Sequence, residues 1–126
     1  GDIFGGWLMS HADIAGAVLA YRHAGGKVVT VAVNRFEFIE PVYIGDVVTF
    51  FTNVVRVGTS SLDVEVDIHA ERPGTGPAEH IRVAAADITY VHIGEDRRPL
   101  PLPESRPREA DSVKKTPQSR RRKRSM

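Results

Sequence analysis

The stretch from Gly5 to Gly26 constrains the fold more than any other part of the chain. It holds no proline, and it ends on Gly25–Gly26, a pair suited to the left-handed residue that stops a helix. About 18 residues of helix are predicted, roughly 27 Å long. Asp2 lies just upstream, where a helix N-terminus favours an acid. Trp7, Leu8, Met9, Ile14, Val18 and Leu19 spread around the whole helical wheel, and a helix apolar all round is usually buried. One acid, Asp13, stands in its middle. A lone buried carboxylate is costly unless it is paired, hydrogen-bonded or protonated. No Lys or Arg lies three or four residues away to form a helical ion pair. Either the tertiary fold supplies a partner, or the acid faces a cleft and does chemistry. Met9, Ser10, Gly16 and Ala17 lie one helical turn from Asp13, and all but Met9 are small. Gly16 costs the helix about 1 kcal/mol relative to Ala, which implies close packing on that face.

Beyond the glycine pair the pattern turns to strand. Val28 to Phe38 and Val47 to Val57 are rich in β-branched and aromatic residues, with Pro41 and Gly45–Asp46 between them. Gly58–Thr59 reads as a hairpin turn. Ser61 to His69 alternates: Leu62, Val64, Val66 and Ile68 face one side, and Asp63, Glu65, Asp67 and His69 the other. Pro73 to Pro77 is a loop, and His80 to Ile93 is the last long strand. One helix packed on one face of a curled antiparallel sheet follows, an α+β arrangement. The second and last strands are apolar on both faces, so a partner subunit is expected to cover what the helix leaves bare.

The formal net charge of +1 hides two unlike objects. Residues 1–104 hold 8 Lys and Arg against 14 Asp and Glu; residues 105–126 hold 9 against 2. The first is read as the folded domain. The second follows a Pro-rich stretch from Arg97 to Pro107 and carries RRRKR with almost nothing apolar, a composition that cannot order itself. With no aromatic residue to stack on bases, this tail is read as a solvated segment rather than a nucleic-acid arm. The chain has no cysteine, which excludes disulfides, Cys-ligated metal and a Cys nucleophile. No apolar run approaches the roughly 20 residues that span a bilayer. The opening segment has no basic n-region and no initiator Met, and reads as a processed or truncated N-terminus.

The residues GDIFGGWLMS, with Asp13 following in HADIAGA, resemble the hotdog-fold acyl-CoA thioesterases of the YciA type. The likeness continues through VVTVAVNRFEFIEPVYIGDVV and VRVGTSS, and covers residues 1–104. It implies a hotdog fold, a long central helix wrapped by a curved antiparallel sheet. It implies a cytoplasmic enzyme that hydrolyses acyl-CoA to fatty acid and CoA, with no metal and no cofactor beyond the CoA of the substrate. Homodimers with interfacial active sites, assembling as trimers of dimers, are the expected partners. Members carry a further strand before the helix, ending in an Asn just ahead of the Gly-Asp that starts here; that N-terminal strand is missing from this sequence. Where members have Gln-Met before the acid, this chain has His11-Ala12.

From the residues alone, Asp13 is either a general base activating water or a helix acid bonded to backbone donors or a partner's Arg. The resemblance assigns it the base. Gly5 and Gly6 offer free N–H groups at a helix start, where a developing oxyanion can be held, or they serve tight packing. The resemblance points to the Gly6 N–H, completed by the neighbouring subunit. Gly58, Thr59, Ser60 and Ser61 form either an ordinary turn or a seat for CoA. Arg72 falls where the family places a basic residue near the CoA phosphates. Phe36, Phe38, Phe50 and Phe51 line or underlie an acyl tunnel. The five histidines lack metal-ligand spacing and read as structural or exposed. Ser10 lacks the glycine-flanked elbow of a serine hydrolase. The rival reading is a non-catalytic acyl-CoA-binding or regulatory module of the same fold.

Overall fold

The structure, a computed structural model, describes residues 2–103. Helix α1 (Gly5–Ala24) is followed by strands β1 (Val28–Phe38), β2 (Val47–Val57), β3 (Ser61–Arg72) and β4 (Glu79–His92). β3 runs past the expected His69, and β4 is shifted by one residue from the expected span. The strands form a single antiparallel sheet in the order β1-β4-β3-β2. The chain lays down both edges before it fills the middle. The tail expected over 105–126, and the domain boundary at residue 104, lie outside the described residues.

The helix stops as its sequence requires. Gly25 takes φ 73°, and its N–H donates to the Tyr21 carbonyl at 2.8 Å. Arg22 and His23 occupy the last turn, where the dipole favours cations. At the other end Phe4 is the N-cap, extended and without a side-chain capping bond. Just ahead of it, the Ile3 N–H donates to the Val42 carbonyl at 2.7 Å, and Asp2 bridges Tyr43.

The core lies between α1 and the inner face of β3 and β4. Leu62, Val64, Val66, Ile68 and Ala70 are fully buried, as the alternation of β3 predicts. Across the ladder, Val66 meets Ala86 and Ile68 meets Ala84, so a large residue is paired with a small one and the helix can approach. On the helix the buried stripe is Leu8, Ala12, Gly16, Ala20 and Ala24, a four-residue repeat of mostly small side chains. That corrects the expectation of a helix buried all round. Ile14 is 61 % exposed, Val18 49 % and Tyr21 56 %, because one four-stranded sheet covers one side of a helix only. β2 repeats the pattern. Val48, Phe50 and Val54 pack inward, while Val47, Phe51, Val55 and Val57 face out.

Candidate active site

Asp13 lies midway along α1, half-buried, and the sheet supplies its partners. Thr30 near the start of β1 donates its hydroxyl to Asp13 Oδ1 at 2.6 Å. Tyr90 of β4 donates to the Asp13 backbone carbonyl at 2.7 Å and lies 3.2 Å from Oδ1. Thr30 and Tyr90 are cross-strand partners, so one rung of the sheet addresses one turn of the helix. Burial, and then the Asp13 charge beside it, push the Tyr90 phenol well above its ordinary range. Tyr90 is therefore a fixed donor, not a base. Among the described residues no cation pairs with Asp13, and no donor reaches its Oδ2. The carboxylate has one oxygen held and one free.

Gly16 explains how Tyr90 gets there. A Cβ built on Gly16 would lie 2.4 Å from the Tyr90 hydroxyl oxygen and 3.1 Å from Cζ. The helix breaker is the gap through which the phenol reaches the Asp13 carbonyl. Thr30 and Tyr90 were not singled out from the sequence. One signal was available: the alternation of β4 aligns Tyr90 with inward-facing Ile88, and a buried phenol needs a partner.

The other expected residues divide between two ends of the sheet. The Gly58–Ser61 turn closes with the Gly58 N–H donating to the Ser61 carbonyl at 2.7 Å. Ser61 pairs with Val91, one step past the Leu62–Tyr90 pair, so the turn shares an end of the sheet with Tyr90 and Thr30. The carbonyls of Thr59 and Ser60 accept the N–H groups of Leu102 and His92. Gly5 and Gly6 open α1 at the other end, and the Gly6 N–H meets no acceptor among the described residues. Seven residues of helix put Gly6 and Asp13 about 10 Å apart along the axis, too far to act on one carbonyl within a single chain. Arg72 lies away from the Gly58–Ser61 turn. It sits at the far end of β3, on the order of 35 Å along the strand from the turn. Its Nε and Nη2 donate to the two oxygens of Asp46 at 3.0 and 2.9 Å. That fork holds the Asp46 carboxyl below its ordinary range.

Beside the helix start lies an open cavity of about 210 Å³ lined by Ile3, Leu8, Phe38, Ile39 and Val42 among others. Of the four phenylalanines expected at an acyl tunnel, Phe38 lines this cavity, and Phe36 and Phe50 pack partly into the core. Phe51 instead faces outward, edge-on to His69 with ring centroids 5.1 Å apart. Among the described residues no group of three His, Asp or Glu side chains is placed to hold a metal ion. None of the helices described is long and apolar enough to cross a membrane.

The thioesterase superfamily profile matches residues 1–77. The chain belongs to the thioesterase superfamily. This thioesterase chain is 41% identical over 104 residues to the acyl-CoA thioester hydrolase YciA of Salmonella typhimurium, covering 82% of this chain and 78% of that one. A hexameric hotdog-fold thioesterase of Campylobacter jejuni superposes with a TM-score of 0.79 at 40% identity, over 83% of this chain and 80% of its own. HI0827, a hexameric broad specificity acyl-coenzyme A thioesterase, gives 0.77 at 39% identity, over 82% and 71%. The acyl-CoA hydrolase of Staphylococcus aureus is more distant. Its Asp-to-Ala variant gives 0.73 at 30% identity, over 81% of this chain and 61% of that one. A Thr-to-Ala variant of the same enzyme has also been solved. One helix against a four-stranded antiparallel sheet agrees with the hotdog fold named for the Campylobacter jejuni neighbour.

Proposed function

We propose that this protein is an acyl-CoA thioesterase in which Asp13 is the general base. The observation that carries the reading is the half-held carboxylate. Oδ1 is fixed by Thr30, and the free Oδ2 is available to a water. The altered Asp and Thr of the Staphylococcus aureus hydrolase are separated in sequence by the same 17 positions as Asp13 and Thr30, which supports it.

In the reaction, Oδ2 takes a proton from water as the oxygen bonds to the thioester carbonyl carbon. The oxyanion is held by the Gly6 N–H, with Gly5 leaving the approach open. The tetrahedral intermediate then expels CoA thiolate, and the proton on Asp13 passes to the sulfur. Water is the only co-reactant. Because Gly6 and Asp13 of one chain stand apart, the site is composed between two chains. The exposed Ile14, Val18 and Tyr21 of α1 and Val31 and Val33 of β1 are the surface for that homodimer. Dimers assemble further into the hexamers known for the neighbours. The CoA lies along Gly58, Thr59, Ser60 and Ser61, at the Asp13 end of the sheet.

Asp13→Asn tests the assignment. Thiol release from acyl-CoA should fall by roughly 10²–10⁴-fold while the far-UV spectrum and the melting temperature stay within error of the parent. Unchanged hydrolysis would remove Asp13 from the chemistry. A parent protein that binds acyl-CoA without releasing thiol would instead establish the non-catalytic module.

A further inference from the structure

Arg72 and Asp46 lie far from Asp13, and yet they are built into the helix start. We propose that this pair is a positioning device for the Gly5–Gly6 amides rather than a contact for CoA; the inference rests on the thioesterase reading above. The Asp46 side chain is 2 % exposed and takes both Arg72 bonds, and its Oδ2 also accepts the Tyr43 N–H at 2.9 Å. The Asp46 N–H returns to the Tyr43 carbonyl at 3.0 Å, closing a turn through Gly45 at φ 102°. Arg72 further stacks over the Tyr43 ring at 4.6 Å and reaches the Pro41 carbonyl at 3.3 Å. Residues 41–46 are thus gripped at three points by one guanidinium.

What that grip holds is the strip the helix starts from. Val42, buried to 2 % exposure, accepts the Ile3 N–H at 2.7 Å, and Gly6 follows three residues later. Phe4 makes no side-chain cap, so no side chain at the N-cap fixes the first turn. Its direction is set by the Ile3–Val42 bond, and therefore by Arg72 and Asp46. A donor to an oxyanion must be placed to within a fraction of an ångström, and a displacement near 1 Å costs about 10²-fold in rate.

Arg72→Lys and Asp46→Asn in the full chain test this. Arg72→Lys keeps the charge and loses the fork. Each variant is assayed with an acyl-CoA and with the matching acyl-pantetheine, which has no phosphate. Both variants should lose roughly 10- to 100-fold in kcat, equally on the two substrates, with KM little changed. The double variant should be no worse than either single. A loss confined to acyl-CoA and seen in KM would overturn the proposal in favour of a phosphate contact, and an unaffected Asp46→Asn would overturn it outright. Hydrogen exchange read without substrate keeps the test independent of activity. Exchange at the Ile3 amide should rise about tenfold in both variants while amides in β4 keep their protection. Unaltered Ile3 protection would overturn the inference even if the thioesterase reading stands.

Discussion

Gly16→Ala should destabilise this protein, although the same change in an exposed helix interior gains about 1 kcal/mol. The new methyl would sit 2.4 Å from the Tyr90 hydroxyl, 3.1 Å from Cζ and 3.2 Å from Cε2. Tyr90 cannot simply swing away, because it is fully buried among core residues. Overpacking of this kind costs about 1–3 kcal/mol. Driving the phenol off the Asp13 carbonyl leaves a buried hydroxyl unsatisfied, at about 1–3 kcal/mol more. Set against the helix gain, the net loss is about 1–5 kcal/mol. Urea unfolding at fixed protein concentration reads it, and the Tyr90→Phe background sharpens it. Phenylalanine has no atom at the 2.4 Å position, so Gly16→Ala should cost at least about 1 kcal/mol less there, a coupling well above the additivity error. A Gly16→Ala protein as stable as its parent, or equal costs in the two backgrounds, would refute the close-approach argument. Turnover should fall along with stability, since the displaced ring lies against Asp13 Oδ1.

Thr30→Ala removes a hydrogen bond to a charged oxygen and should lower kcat by roughly 10- to 100-fold, with Thr30→Ser recovering most of it in a thiol-release assay. Asp46 has its folded-state pKa depressed by Arg72, so its contribution is present above about pH 4 and is lost as pH falls through the folded value. Asp46→Asn should therefore flatten the acid side of the stability curve between pH 7 and pH 3, and superimposable curves would contradict the pairing. Val18→Asp places a charge in the exposed apolar stripe of α1 and should drive the assembly toward monomer in light scattering, with loss of turnover. A fully assembled and active Val18→Asp protein would put the subunit contact elsewhere.

Most of the architecture was legible because each element carries its own local signature. Gly25–Gly26 ended the helix, the alternation from Leu62 to Ile68 gave the buried face of β3, and Gly16 announced a close approach. The all-apolar wheel misled for a physical reason. Beyond Leu8, the stripe that meets this chain's own sheet is made of Ala and Gly, while Ile14, Val18 and Tyr21 point away. Reading the helix as buried all round therefore claimed more cover than one sheet gives it. The surroundings of Asp13 were hidden because its partners are 17 and 77 residues distant, on strands whose adjacency depends on sheet order. Arg72 was assigned by its position in a family pattern. Nothing local to it reveals that its fork closes on Asp46, 26 residues back across the β2–β3 hairpin.

The sheet order has a consequence for biosynthesis. β1 and β2 are the edges, yet they are translated before either central strand. β1 has no partner until β4 exists, and their pairing joins residues as far apart as Val28 and His92, 64 positions away. At typical elongation rates of about 5–20 residues per second, β1 and the apolar face of α1 wait roughly 3–10 s for β4 to be made. A nascent chain of this design is at its most adhesive before it is complete, and newly made copies on one message have each other's unpaired strands within reach.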